Sequence, residues 1–547
     1  MQVARVVVAE RLTPEKLFFD YAVPAELEVT EGAVVFVPWR NQRSWGFVSK
    51  LTDQGEVSKL KSILSVVPVS PISQKDRAAI FALASHYKVS PGFILRSFFP
   101  TPPRRGLSLP TSKKIFQEKL GFNTLPKIYW LRDDQPTSVF IKQYLKKLRR
   151  ATALFFPLVR EQMAAEKFLK IGHQKISFWQ MREHLLAGSG PRVLSLTRRL
   201  AFLVPPYYAV ALAHVERREF VQFDMNPRYS LEEVLRARCF VPDLLVEAPR
   251  FIDWYQAEQK QVSLLQAGSA NPPEIANLEP QDFSFLSDIL KQKISDALQN
   301  NKNIVLFHWQ TGEARELSCC HCFWQAECGE CLRPQILATV SALRCPACFK
   351  EGPIPTACPK CGAVDLKPRR LGLAGWRKQV AKTFPDIQDE RLQIRTIPEL
   401  PFDIQNLGLV AVLSADALWR HPQFDTAWRA WQGLTAVQRF AQINRSHFLI
   451  QTKTKGHAVI QALMLGKPEA LYAQEKNERE QFHLPPFGTY LRFKPGPRSK
   501  TKILPPGRYY LDGKNYLIFL PTTDEKIISE AVTQLPSDWH LDRFPFI

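Results

Sequence analysis

The chain has 547 residues, enough for three to five domains of ordinary size. Lys and Arg number 73 against 52 Asp and Glu, a formal charge of +21, and 45% of residues are hydrophobic. These values exclude a disordered polyampholyte and direct attention to polyanionic partners, nucleic acid first and anionic membrane second.

The N-terminus, MQVARVVVAERL, has Arg5 and Glu10 interrupting its apolar run, so no signal-peptide core is expected. Short β-like runs follow at 5–10, 33–39 and 45–51, with Glu31-Gly32 turning between the first two. They predict a small barrel or twisted sheet. Residues 74–88 show helical apolar spacing. The segment Phe99-Pro100-Thr101-Pro102-Pro103-Arg104-Arg105-Gly106 breaks the pattern and reads as a linker.

From 127 to 260 strand-like and helix-like segments alternate. The strand candidates lie at 127–131, 153–156, 193–195 and 208–213; helix candidates lie at 140–150 and 161–170. Such alternation predicts an α/β layer with a largely parallel sheet. A second α/β series covers about 280–475, and residues 480–547 close as a small α+β unit. The longest apolar run, 200–213, is split by Pro205-Pro206 and is too short for a membrane helix, which needs about 20 residues. A soluble cytoplasmic protein is expected.

Nine of the ten cysteines fall between Cys319 and Cys361. Eight form four CxxC pairs: Cys319/Cys322, Cys328/Cys331, Cys345/Cys348 and Cys358/Cys361. A CxxC turn presents two thiolates to one tetrahedral ion, and two such turns close a structural zinc site. Eight ligands therefore predict two Zn²⁺ ions. Four consecutive copies disfavour a redox motif. Cys320 is a bystander, and Cys239 is expected in a core.

These spacers, with Gly352-Pro353-Ile354-Pro355-Thr356-Ala357 leading into the last pair, resemble the bacterial primosomal replication-restart helicases of the PriA (primosomal protein N′) family. Collinear matches agree. They are Phe19-Asp20-Tyr21-Ala22-Val23-Pro24, Val35-Phe36-Val37-Pro38, Trp45-Gly46-Phe47-Val48, Pro227-Arg228-Tyr229 and Leu484-Pro485-Pro486-Phe487-Gly488. The resemblance implies a multidomain α/β protein. Residues 1–105 would be a small β-rich domain binding DNA 3′ ends, and 106–126 a linker too short for the family's winged helix. Residues 127–275 and 276–480 would be two RecA-like helicase lobes, the second carrying a zinc insertion at 317–363. Residues 481–547 would be a short C-terminal α+β domain. It also implies the zinc pairing: Cys319, Cys322, Cys358 and Cys361 for one ion, Cys328, Cys331, Cys345 and Cys348 for the other. Phe19 or Tyr21 would stack on a terminal base, Asp20 would accept a hydrogen bond from the 3′-OH, and Lys61 would meet phosphate.

The family is an ATP-driven 3′-to-5′ helicase, yet its phosphate machinery is missing. A P-loop needs glycines, a lysine and a Ser/Thr. The corresponding stretch reads Trp130-Leu131-Arg132-Asp133-Asp134-Gln135-Pro136-Thr137-Ser138, without glycine or lysine. Motif II reads Ala213-His214-Val215-Glu216, without its metal-binding Asp, and Glu216 is expected as a surface carboxylate. Motif III reads Val246-Glu247-Ala248-Pro249, and motif VI falls near Ala436-Val437-Gln438-Arg439-Phe440-Ala441, with Arg439 and Arg445 off register. The lobes are therefore expected to be degenerate, with no ATP or Mg²⁺ bound. The basic run Lys142, Lys146, Lys147, Arg149, Arg150 suits phosphate contact or a solvated helix face equally.

The expected role is to bind branched DNA with a 3′ end at stalled forks or D-loops. The implied partners are single-stranded-DNA-binding protein and primosome components, with a nucleoid location and no membrane. Two other readings stay open: a helicase with a divergent ATP site, and a zinc-ribbon protein of RNA metabolism.

Overall fold

The computed structural model describes residues 2–13, 15–53, 60–102, 125–132, 134–148, 150–171, 177–217, 220–221, 229–278, 285–309, 316–322, 324–330, 335–337, 342–345, 350–368, 372–385, 390–396, 404–419, 424–494, 508–512, 515–533 and 540–543. The expected linker at 106–126 lies almost wholly outside them, as do Pro227 and Arg228.

The N-terminal strands Val3–Val8, Phe19–Ala22, Val34–Trp39, Gln42–Thr52 and Ser65–Val66 form one antiparallel sheet. Their period-2 pattern divides the apolar side chains between two faces. Ala4, Val6, Val8, Val35 and Val37 form one small core, while Val7, Phe36, Trp45 and Phe47 face the helices Gln74–Tyr87 and Pro91–Phe98. The Glu31-Gly32 turn requires its glycine. Gly32 has φ +85°, and a Cβ there would lie 2.4 Å from the Ile72 carbonyl oxygen.

The first large sheet has six strands, in the spatial order Ser263–Ala267, Lys127–Leu131, Asp243–Val246, Ala209–Ala213, Thr152–Phe156 and Val193–Thr197. Every pairing is parallel. The strands Thr152–Phe156 and Ala209–Ala213 are buried along their whole length, because helices cover both faces. The second sheet has five strands, ordered Glu274–Asn277, His447–Thr452, Leu407–Val412, Asn303–His308 and Leu392–Thr396, again all parallel. The strand Glu274–Asn277 straddles the expected boundary at 275/276 and belongs to this second sheet. The C-terminal strands Thr489–Lys494, Arg508–Asp512, Asn515–Leu520 and His540–Arg543 form an antiparallel sheet accompanied by the helix Glu525–Thr533.

The two lobes and the N-terminal helices share one apolar core. The helix Thr426–Ile443 of the second lobe is central to it, burying Trp428, Trp431, Leu434 and Val437. Trp431 packs edge-on against Trp130 of the first sheet, with ring centroids 5.8 Å apart. Cys239 is exposed, contrary to expectation, because it follows the helix Leu231–Ala237 in a left-handed turn with φ +62°. Among the described residues no single helix is long and apolar enough to cross a membrane.

Candidate metal centre, strand-end pocket and interlobe cleft

The metal centre begins with a strand pairing. Leu317–Cys319 runs antiparallel to Leu366–Pro368, with Cys319 opposite Leu366. That pairing carries the segment 358–361 back to the segment 319–322. Each CxxC turn is held by its own backbone: Cys319 N–H donates to the Trp324 carbonyl (2.8 Å) and Cys358 N–H to that of Ala363 (2.8 Å). Gly362, at φ +74°, closes the second turn. The sulfurs of Cys319, Cys322, Cys358 and Cys361 all lie within 4.8 Å of one another. Cys319 and Cys361 sulfurs are 3.6 Å apart, and those of Cys322 and Cys358 are 3.5 Å apart. Zn–S bonds of about 2.3 Å in a tetrahedron require S···S edges of about 3.8 Å, so the four thiols fit Zn²⁺ and are far too separated for disulfides. Cys320 stays outside this group. Of the other predicted quartet, Cys328 and Cys345 are buried, and Cys331 and Cys348 lie outside the described residues.

The Phe19–Ala22 strand lies at an edge of its sheet, with Asp20 directly opposite Arg5. Lys61 is brought alongside by backbone bonds: Ala22 N–H donates to the Lys61 carbonyl and Ile63 N–H to that of Ala22, both at 3.0 Å. Phe19, Asp20 and Tyr21 lie along this strand, and the Lys61 backbone flanks its far end at Ala22. The Tyr21 ring is 5% exposed and its hydroxyl donates to the Pro38 carbonyl (3.1 Å). Burial pushes its pKa up to about 12. Phe19 is half-buried, edge-on to Trp39 at 4.9 Å, and Lys61 is exposed. Asp20 Oδ1 is shielded from water, lies 3.5 Å from Arg5 Nε, and accepts no hydrogen bond. Phe19 is thus packed on Trp39, the Asp20 side chain is 7% exposed and ion-paired with Arg5, and Lys61 is the one of the four that faces solvent.

The cleft between the lobes is where sequence reasoning missed most. Glu216 is not a surface carboxylate. Its Oε1 accepts the Glu247 N–H at 2.9 Å, its Oε2 is shielded with no partner among the described residues, and burial pushes its pKa up to about 8. His214, in a left-handed conformation at φ +60°, is buried beside it, and burial pushes its pKa down to about 4. Arg439 is not idle: it is 2% exposed and reaches across from the second lobe. Its Nη1 donates to Glu247 Oε1 (2.8 Å) and Thr137 Oγ1 (2.9 Å), and its Nη2 donates to the Gln135 carbonyl (2.8 Å). Burial opposes the charge on Glu247, but the neighbouring cationic side chains, Arg439 among them, more than offset this and hold its carboxyl below the usual range. No local pattern announces the pair, since 192 positions separate Arg439 from Glu247. His214, Glu216 and Glu247 also group as metal-ligand types. There the positive charge is already supplied by Arg439.

The basic helix Thr137–Leu148 buries Ile141 and Tyr144 and exposes Lys142, Lys146 and Lys147. Arg149 lies outside the described residues.

An antiparallel N-terminal sheet, two parallel-sheet lobes and a four-cysteine cluster define a multidomain α/β architecture. Residues 5–100 match the model of a 3′DNA-binding domain (3′BD), the one found in PriA. The chain is similar to replication restart protein PriA of Rickettsia typhi, with 21% identity over 96% of this chain and 91% of that protein. The same-named protein of Treponema pallidum is 24% identical over 60% of this chain and 55% of its own length. That of Bacillus subtilis is 24% identical over 48% and 38%. The matched segment thus spans about half or less of these last two relatives. Among solved structures, S. cerevisiae Dbp5 bound to RNA and ADP BeF3 aligns with 65% of this chain and 90% of that chain, at 8% identity and a TM-score of 0.33, too loose to bear on function. The resemblance to PriA is thus shown, from the N-terminal sheet through both lobes.

Proposed function

We propose that this chain is a PriA-like protein that binds branched DNA carrying a 3′ end, at stalled forks or D-loops, and recruits primosome components without driving unwinding. Its division of labour follows the sequence: 1–105 holds the 3′ end, the lobes at 127–275 and 276–480 form a platform, the insertion at 317–363 carries two Zn²⁺, and 481–547 completes the body. The observation that carries the reading is the 3′DNA-binding-domain match over residues 5–100, which includes the edge strand bearing Phe19 and Asp20 and the Lys61 backbone bonded to its end at Ala22.

Asp20 exchanges its ion pair with Arg5 for a hydrogen bond accepted from a terminal 3′-OH, Phe19 contacts the last base, and Lys61 meets the backbone phosphate. A 3′-phosphate would place two negative charges against Asp20. Cys319, Cys322, Cys358 and Cys361 hold one zinc; Cys328, Cys331, Cys345 and Cys348 hold the other. The absence of the P-loop glycines and lysine, together with the missing motif II Asp, supports a chain that binds neither ATP nor Mg²⁺. Single-stranded-DNA-binding protein is a partner on this reading, and the nucleoid its location.

The test is binding to a three-way fork at fixed salt, because a chain of charge +21 binds any DNA at low salt. A fork with a 3′-OH should bind about tenfold tighter than one blocked with a 3′-phosphate. Adenine nucleotide hydrolysis should stay at background with or without the fork.

A further inference from the structure

We infer that the interlobe cleft is bridged by the protein's own side chains, through an ionic latch of Arg439, Glu247 and Thr137 beside an open cavity of about 1020 Å³ lined by Asp134, Asn271, Gln438 and Gln442, so that the two lobes form a fixed body instead of a cycling pair. The inference deepens the reading that this chain does not unwind DNA.

Its basis is a single stripe on the helix Thr426–Ile443. Positions 428, 432, 439 and 442 recur at helical spacing and point to one neighbour. Trp428 Nε1 donates to the Pro249 carbonyl (3.1 Å), and Gln432 Nε2 to that of Ala248 (3.1 Å). Arg439 reaches Glu247, Thr137 and Gln135. Gln442 Nε2 reaches the Ser269 carbonyl at 3.5 Å. All of these acceptors belong to the first lobe or the segment leaving it. A further bond, Gln438 Nε2 to the Asn271 carbonyl at 2.6 Å, lies beside the stripe.

The chemistry of the stripe matters as much as its length. In a nucleotide-driven motor an arginine from one lobe meets phosphate held by the other, and the contact is lost when the phosphate leaves. Here the arginine meets a carboxylate that belongs to the chain and cannot leave. Gln135 and Thr137 lie in the stretch that replaces the P-loop, so the same arginine occupies that loop as well. Beyond the latch, Tyr472 hydroxyl and Lys476 Nζ both bond Glu258, at 2.7 and 2.8 Å, adding a second cross-lobe anchor. Trp130 packs edge-on against Trp431 across the same interface.

Hydrogen–deuterium exchange on the full-length, zinc-loaded protein tests this. In the wild type, peptides covering 134–148 and 426–443 should be strongly protected and unchanged by ATP with Mg²⁺. Arg439→Ala should raise exchange at least about tenfold in both peptides together, and Glu247→Gln should do the same. A change confined to 426–443, or nucleotide-dependent protection in the wild type, would overturn the latch. If Arg439→Ala does not fold, Glu247→Gln and Thr137→Val carry the measurement. The readout needs no DNA, so the latch and fork binding fail separately: a chain that ignores forks can still be latched, and a chain that binds them can still open.

Discussion

Glu216 carries a pH signature that follows from its surroundings. Its folded pKa is raised to about 8, so between its ordinary range near 4.5 and 8 the folded state binds the proton more tightly than the unfolded state. Stability attributable to this group therefore falls as pH rises through that window. His214 acts in the opposite sense. Its folded pKa is lowered to about 4 from 6.5, so its contribution rises with pH across that interval and is complete above it. The two oppose one another below 6.5, and only the Glu216 slope remains from 6.5 to 8. Glu216→Gln keeps an acceptor for the Glu247 N–H and removes the charge, so it should flatten the denaturation midpoint over pH 6.5–8 and raise it at pH 8. An unchanged slope in that variant would place the titration elsewhere. At the same scale, Arg439→Ala leaves the Glu247 carboxylate buried without its arginine, a loss of about 3–5 kcal/mol. Arg439→Lys keeps the charge but cannot span Glu247, Thr137 and the Gln135 carbonyl with one planar fork. It should fall between the wild type and the alanine variant in the same denaturation measurement.

Elements differ in how openly the sequence declares them. Thr152–Phe156 and Ala209–Ala213 are buried on both faces, so each reads as an unbroken apolar run and both were legible. Ser263–Ala267 lies at the edge of the same sheet, half exposed, and shows no such run; Asp243–Val246 is only four residues long. Neither stands out from the surrounding text. The helix Thr426–Ile443 is apolar enough to be read as core, which it is. Its polar stripe has no local meaning, because the acceptors for Trp428, Gln432 and Arg439 lie between 179 and 304 positions away. The cysteine knuckle sits between these cases. CxxC spacing announces four ligand pairs, but which pairs meet is decided by the pairing of Leu317–Cys319 with Leu366–Pro368. The expected pairing of Cys319 and Cys322 with Cys358 and Cys361 came from family resemblance, and the geometry fits it. Zinc analysis by mass spectrometry should find two ions per chain, with Cys358→Ser retaining about one. Full retention in that variant would remove the quartet assignment. Since the insertion joins the second lobe through short strands, chelation should unfold it while leaving the protection of the lobe sheets in place.

For the whole molecule, the charge of +21, the strand-edge site and the latched lobes point in one direction. A motor uses its cleft to convert phosphate chemistry into movement. Here the cleft is bridged by Arg439 and Glu247, with Trp130 packed on Trp431. On this account the chain is a rigid reader of DNA structure, and its lobes serve to position the N-terminal sheet and the zinc insertion relative to one another. The edge strand itself was legible because Phe19, Asp20 and Tyr21 are consecutive. What the sequence left open was which of the three side chains is buried. Tyr21 turns into the core and bonds the Pro38 carbonyl, leaving Phe19 and Asp20 at the edge. The central claim is recognition of a free 3′ end by that edge. Its most direct test compares the affinity of the wild type and Asp20→Ala for one fork bearing either a 3′-OH or a 3′-phosphate, at matched salt. The account predicts an about tenfold preference for the 3′-OH in the wild type and none in the variant; equal binding of both forks by the wild type would contradict it.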